Sequence, residues 1–248
     1  MIQSILMLPL FLSLTSLLSA PQPPPDSLVI FNANRTYHYH AIFVSPKGDT
    51  LSQERITFQP LGQPWVGQPK RQTGFQVRYT YTTQDSLTFL AYPNPKTKRL
   101  DKPEKYWWHE QEITGAIENR QEIWMHPIRG NQYAYTEVAP FPQVKPASLR
   151  VGGSWQENPL YIMMGWGAFK GKVTPTYQVD KQEVRQYGSL TLPGCWLIHA
   201  VGEHSKLGRS YLDFYFHPQY GFTEMHYRFY DGTQISFVLE QVLDKRQP

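Results

Sequence analysis

Cysteine is almost missing from this chain, which has one, Cys195, in 248 residues. One thiol excludes an intrachain disulfide and a CxxC redox pair, and its position argues against a lipid-modified N-terminal cysteine. Beside Trp196 in a strand-like stretch, it reads as a small buried hydrophobe and not as a nucleophile. Charge is also sparse: 18% of residues are charged, and the net +4 with a pI near 9.0 is too mild to imply nucleic-acid binding. No phosphate loop, dinucleotide fingerprint or calcium loop occurs, and Ser154 in Gly152-Gly153-Ser154-Trp155 lacks the Gly-x-Ser-x-Gly elbow. These absences remove the commonest nucleotide, redox and triad enzymes. No repeat of fixed period is present.

Long hydrophobic runs are missing too, apart from the start. Residues 1–20 carry no charge, and the apolar run at 5–18 has the length of a signal-peptide core. The expectation is export, to the periplasm or cell envelope or beyond. No Lys or Arg precedes the run, and the Ser19-Ala20 exit has Leu18 upstream and Pro21 after it. An uncleaved anchor is the alternative, since the run sits at the short end of the roughly 17–25 residues that span a bilayer. Residues 21–27 form a proline-rich spacer, and residues 28–244 are expected to make one β-barrel-like domain. Lys96, Lys98, Arg99, Lys102 and Lys105 gather around Asp101 and Glu104, a solvated loop or a contact for an anionic membrane surface.

What the chain does have is aromatic side chains, 16 Tyr, 13 Phe and 7 Trp, with 21 Pro and 17 Gly between them. This mixture favours pleated, half-buried surfaces joined by turns. Residues 35–44 alternate Tyr37, Tyr39, Ala41 and Phe43 against His38, His40, Ile42 and Val44, and Pro46-Lys47-Gly48-Asp49 turns them back into 51–59. Residues 62–74 read as a long exposed loop, 75–81 as a strand pairing with 86–92, and 105–125 as two strands joined near Glu118-Asn119-Arg120. Residues 132–138 read as another strand, and 140–171 as a crossover loop. A C-terminal meander of four strands runs from 194 to 243, with a type I′ hairpin at Asp231-Gly232. The fold class is therefore all-β, a curved antiparallel sheet forming an open or closed barrel.

Several short stretches carry a resemblance. Trp124-Met125-His126-Pro127-Ile128-Arg129, Pro140-Phe141-Pro142, Gly153-Ser154-Trp155, Tyr220-Gly221-Phe222 and Asp231-Gly232 resemble uncharacterised exported proteins of Bacteroidetes-type bacteria. The meander is also similar in architecture to the half-open barrels of periplasmic lipoprotein carriers, which implies a curved sheet wrapping an apolar ligand. Neither resemblance brings catalytic residues.

Candidate site residues follow from chemistry that converges. Trp107, Trp108, His109 and Glu110 on one strand and Trp124, His126 and Arg129 on the next are expected to meet at one end of the sheet, where Arg129 forks onto a carboxylate or phosphate or pairs with Glu110 or Glu122. Trp166, with Met163 and Met164 in a glycine-rich loop, would make an adaptable lid or ordinary packing. His38 with His40, and His199 with Glu203, share strand faces that suit a metal or acid-base chemistry but are more simply solvated or half-buried pairs; no catalytic residue, metal ligand or cofactor is assigned. The leading expectation is a non-catalytic envelope protein that holds a lipid or other hydrophobic small molecule in an aromatic-lined β cavity. The rivals are a metal-assisted or acid-base hydrolase using His109, Glu110, His126 and Arg129, and an interaction protein pairing through a sheet edge.

Overall fold

Alternation fixes which face each strand buries, and the computed structural model, which describes residues 28–80, 82–83, 109–162 and 167–246, follows it closely. The strands are β1 (Arg35–Val44), β2 (Thr50–Pro64), β3 (Thr73–Thr80), β4 (Gln111–Glu118), β5 (Ile123–Met125), β6 (Gln143–Val144) and β7 (Ser154–Gln156). They continue with β8 (Leu160–Ile162), β9 (Gly171–Tyr187), β10 (Leu190–His204), β11 (Gly208–His217), β12 (Gly221–Arg228) and β13 (Gln234–Asp244). All pair antiparallel in one curved sheet of order β6-β5-β4-β3-β2-β1-β13-β12-β11-β10-β9-β7, with β8 also on β9.

That order is two meanders zipped together by the first and last strands, from Arg35 against Asp244 to Val44 against Gln234. A cylinder laid out this way would close between β6 and β7, but no ladder joins them. The sheet is therefore open. Within 140–171, expected as a crossover, the chain passes from one edge to the other between the short edge strands β6 and β7.

The inner face is aromatic as expected: Tyr37, Phe58, Phe75, Phe214, Phe222 and Phe237 are buried. Buried phenols find acceptors, Tyr37 Oη donating to Ile30 O at 2.6 Å and Tyr39 Oη to Phe222 O at 2.8 Å. Cys195 is buried, and burial pushes its thiol up to about 11, which keeps it protonated and inert.

Three local expectations change. Residues 132–138 are not a strand but belong to a 3-10 helix, Asn131–Val138, whose residues from Gln132 onward are all buried inside the curve. Local bonds serve its backbone, Tyr133 N donating to Gly130 O at 3.0 Å and Ala139 N to Thr136 O at 3.3 Å. Tyr133 packs 5.1 Å from Phe237 and 6.1 Å from Tyr79, and Tyr135 packs 5.1 Å from Phe229 and 6.1 Å from Phe43. The segment thus fills the inner wall expected to line a cavity. It is held by Glu54, the carboxylate that β2 turns to the core, which accepts from Tyr133 Oη and Gln132 Nε2.

The β12–β13 turn is likewise not a two-residue type I′ loop. Gly232 N donates to Phe229 O at 3.0 Å and Phe229 N to Thr233 O at 2.9 Å, while Gly232 alone takes a left-handed φ of 90°. The longer connection lets Asp231 accept from Tyr135 Oη at 2.9 Å, so the internal helix grips the hairpin. Finally, residues 62–74 are not one exposed loop: β2 runs on to Pro64, which pairs with Thr73, and Gln72 is buried. The strand expected at 86–92 lies outside the described residues; β3 takes β2 and β4 as its neighbours.

The candidate functional site in the seam of the sheet

Where the two edges fail to join, a pocket of about 470 Å³ opens, with Ile117, Trp124, His126 and Phe141 on one side and Leu160 and Tyr177 on the other. Tyr177 Oη donates to Phe141 O at 2.9 Å, a strut across the gap that no ladder spans. Trp155 stacks on the far face of Tyr177 at 5.0 Å and 7°, which holds that strut's ring in place.

The floor is built around His126. Its ring lies 4.6 Å from Trp124 and 5.2 Å from Trp65, both edge-on, and 5.8 Å from Phe141. Trp65 reaches it because Trp65 N donates to Gln72 O at 2.8 Å, folding the β2–β3 connection over β4. Burial, with the Arg129 charge second, lowers the imidazole pKa to about 3, so the ring is neutral at neutral pH. Nδ1 faces Arg129 Nη1 at 3.5 Å, and a guanidinium only donates, so Nδ1 is the acceptor and the proton sits on Nε2. Arg129 itself donates to Glu137 Oε1 at 2.7 Å and leans Nη2 toward Thr114 Oγ1 at 3.4 Å.

Polar groups ring the pocket in pairs. Lys145 reaches Glu157 at 2.9 Å and Glu122 at 3.5 Å, joining the β4–β5 turn to the segment after β7. Gln143 Nε2 donates to Glu122 at 3.4 Å. Gln72 is buried at 5% exposure, with no hydrogen-bond partner on its Oε1. That oxygen lies over Gly115, where a Cβ would sit 2.0 Å from it and 2.7 Å from the Trp65 ring. Gly115, a helix breaker in the sequence, is thus the place where two layers touch.

The expected site residues divide accordingly. Trp124 and His126 line the pocket and Arg129 stands behind it, paired with Glu137 and with neither Glu110 nor Glu122. His109 and Glu110 are exposed and form no part of its wall; His109 N donates to Asn131 Oδ1 at 2.8 Å. Trp107, Trp108 and Trp166, with Met163, Met164 and the basic cluster at 96–105, lie outside the described residues. His38 bonds Thr57 at 3.1 Å, and His199 sits 2.7 Å from Asp213 while Glu203 pairs with Arg209. His204 is buried, bonded to Phe169 O and accepting from Lys206 N and Leu207 N. Among the described residues no group of three or more His, Cys, Asp or Glu could hold a metal ion.

The residues the sequence did not single out are Gln72, Glu137, Glu157 and Tyr177. Glu137 sits in a run of otherwise uncharged residues that the fold buries, and a lone carboxylate there signals a buried partner. The others carry no local signal.

No protein-family model matches the chain, and no curated protein matches it. Two solved structures are similar. One is a protein of Bacteroides fragilis regarded as exported and described as having a YmcC-like fold, with 8% identity and a TM-score of 0.46 over 85% of this chain and 96% of that one. The other is a protein of Parabacteroides distasonis regarded as a lipoprotein, with 11% identity and a TM-score of 0.39 over 86% and 96%.

Proposed function

We propose that this chain is an exported, non-catalytic binding module that holds a small amphipathic ligand in the seam pocket. Export rests on the uncharged, apolar residues 1–20 and the proline-rich spacer that follows. The observation that carries the binding role is the pocket of about 470 Å³ at the gap between β6 and β7, where among the described residues no ladder joins the sheet's two edges, within the 300–1,000 Å³ typical of ligand sites. Tyr133 and Tyr135 pack against the inner wall that the sequence offered to a ligand, which favours the seam over that wall. Binding therefore moves to the seam. An acid-base hydrolase is the weaker reading, because an imidazole with a pKa of about 3 is a poor proton acceptor near neutrality, and His109 and Glu110 do not reach the pocket wall.

The test is native mass spectrometry of the protein purified without denaturant from its own cell envelope. The wild type is expected to carry a non-peptide adduct that Trp124→Ala loses while keeping its circular dichroism. A bare mass for the wild type, or an adduct equally retained by Trp124→Ala, overturns the proposal.

A further inference from the structure

Resting on that reading, we infer that the ligand of the seam pocket is a neutral saccharide, a short stretch of glycan, and not a lipid. The argument is one of chemical matching. A lipid site needs an unbroken apolar wall, because every polar group it desolvates without a partner costs free energy. This pocket interleaves ring faces with side-chain amides: Gln68, Gln72, Gln143 and Asn158 stand among Trp124, Phe141, Tyr161 and Tyr177. An amide offers one acceptor and two donors, the complement of neighbouring hydroxyls, while an aromatic face covers the C–H side of a pyranose.

Charge sharpens the choice. Three carboxylates line the pocket, Glu122, Glu137 and Glu157, and each is already engaged: Lys145 serves the first and third, Arg129 the second. Arg71 also lines the pocket, so three cations, Lys145, Arg129 and Arg71, stand among the three carboxylates, and a surround with no net formal charge favours neither an anion nor an ammonium group. The held carboxylates still have lone pairs to accept from hydroxyls. One group in the wall lacks a partner within the protein. Gln72 Oε1 is buried and accepts nothing, so a hydroxyl delivered beside it, with a small turn of the amide, would satisfy it. Tyr161, which lines the pocket, is 71% exposed, so its ring is accessible as a platform for a sugar unit.

The test has two arms, both on the full chain. The adduct recovered from the envelope is released by heat and hydrolysed in acid; monosaccharides are expected, and a fatty acid or amino acids overturn the saccharide while leaving the binding reading intact. In parallel, saturation-transfer NMR and tryptophan fluorescence are recorded against cellotriose, maltotriose, chitotriose, a galactose trisaccharide and dodecylphosphocholine micelles. Binding of at least one trisaccharide is expected, weakened about tenfold by Trp124→Ala and severalfold by Tyr161→Ala, as loss of one stacking face predicts. Tyr161→Ala should leave the melting temperature unchanged, which separates a lost platform from a damaged fold. Binding of dodecylphosphocholine alone, or saccharide binding that ignores both variants, overturns the proposal. Absence of both an adduct and any probe binding overturns the seam site itself.

Discussion

The β10–β13 meander and the seam contain the same kinds of side chain but are held by different bonds. In the meander every strand has a ladder on both sides, and alternation puts Leu212, Phe214 and Phe216 inward with Asp213 outward. In the seam, among the described residues, the edges are bridged by side chains such as the Tyr177 phenol and the Lys145 ammonium. A backbone ladder leaves little freedom for anything else to enter. A joint made of side chains leaves spaces between them, and the pocket is one.

The largest effect should come from breaking the meander. Phe214 is fully buried with its ring 5.7 Å from Phe222, so Phe214→Ala removes a core ring and is expected to cost about 3–5 kcal/mol. Urea unfolding would read this as one cooperative transition at a lower midpoint. Separate transitions for the two halves would show that β1 and β13 do not weld them. Next comes Glu118, whose carboxylate accepts from the backbone N–H groups of Val29, Ile30 and Phe31 at 2.9–3.1 Å and so pins residues 29–31 to β4. Glu118→Ala leaves those donors without their acceptor and is expected to cost about 2–3 kcal/mol, with faster amide exchange at those three residues. Unchanged exchange there would refute the clasp.

The same contrast explains what could be read beforehand. Alternation is local, so β1 was legible to its ends, and turn chemistry placed the reversal at Pro46–Asp49. The buried helix was not legible, because Tyr133 and Tyr135 alternate with Ala134 and Thr136 much as a strand would; only its enclosure by the rest of the sheet decides otherwise. Two signals were present in the sequence. Glu54 falls on the core-facing side of β2 and Gly115 in the middle of β4, and both mark places where another segment arrives. Of the site, Trp124, His126 and Arg129 were found because they are adjacent in sequence. Glu157 and Tyr177 come from the opposite edge of the sheet, and no spacing along the chain announces that meeting.

Acid should separate the regions next. An unfolded histidine titrates near 6.5, and His126 in its aromatic box near 3, so between those values the unfolded chain binds the extra proton. Stability from this group is therefore complete above pH 6.5, is lost as the pH falls toward 3, and is down by about 1–2 kcal/mol at pH 5. His204, in the β10–β11 turn, is lowered by burial and titrates in the same sense, which is why the difference between the wild type and His126→Gln is the quantity to measure. The variant should show the shallower fall in urea midpoint between pH 6.5 and 5. Parallel curves would mean that the ring gains water, and a proton, without unfolding anything.

The smallest effect is expected at Lys145, and it tests the joint most directly. Its ammonium touches Glu122 and Glu157 from opposite sides of the gap, yet it is 30% exposed, and partly solvated pairs of this kind contribute at most about 1 kcal/mol. Lys145→Met keeps the apolar stem and removes the charge, so the urea midpoint should hardly move. The two carboxylates would then face each other across the gap unscreened, and like charges push apart. The expected signature is local: faster amide exchange at Glu157, whose N–H donates to Pro175 O at 3.1 Å, with β10–β13 unchanged. Exchange that rises equally in both regions would mean that the seam and the ladders open together, and that the gap between β6 and β7 is a joint in topology alone.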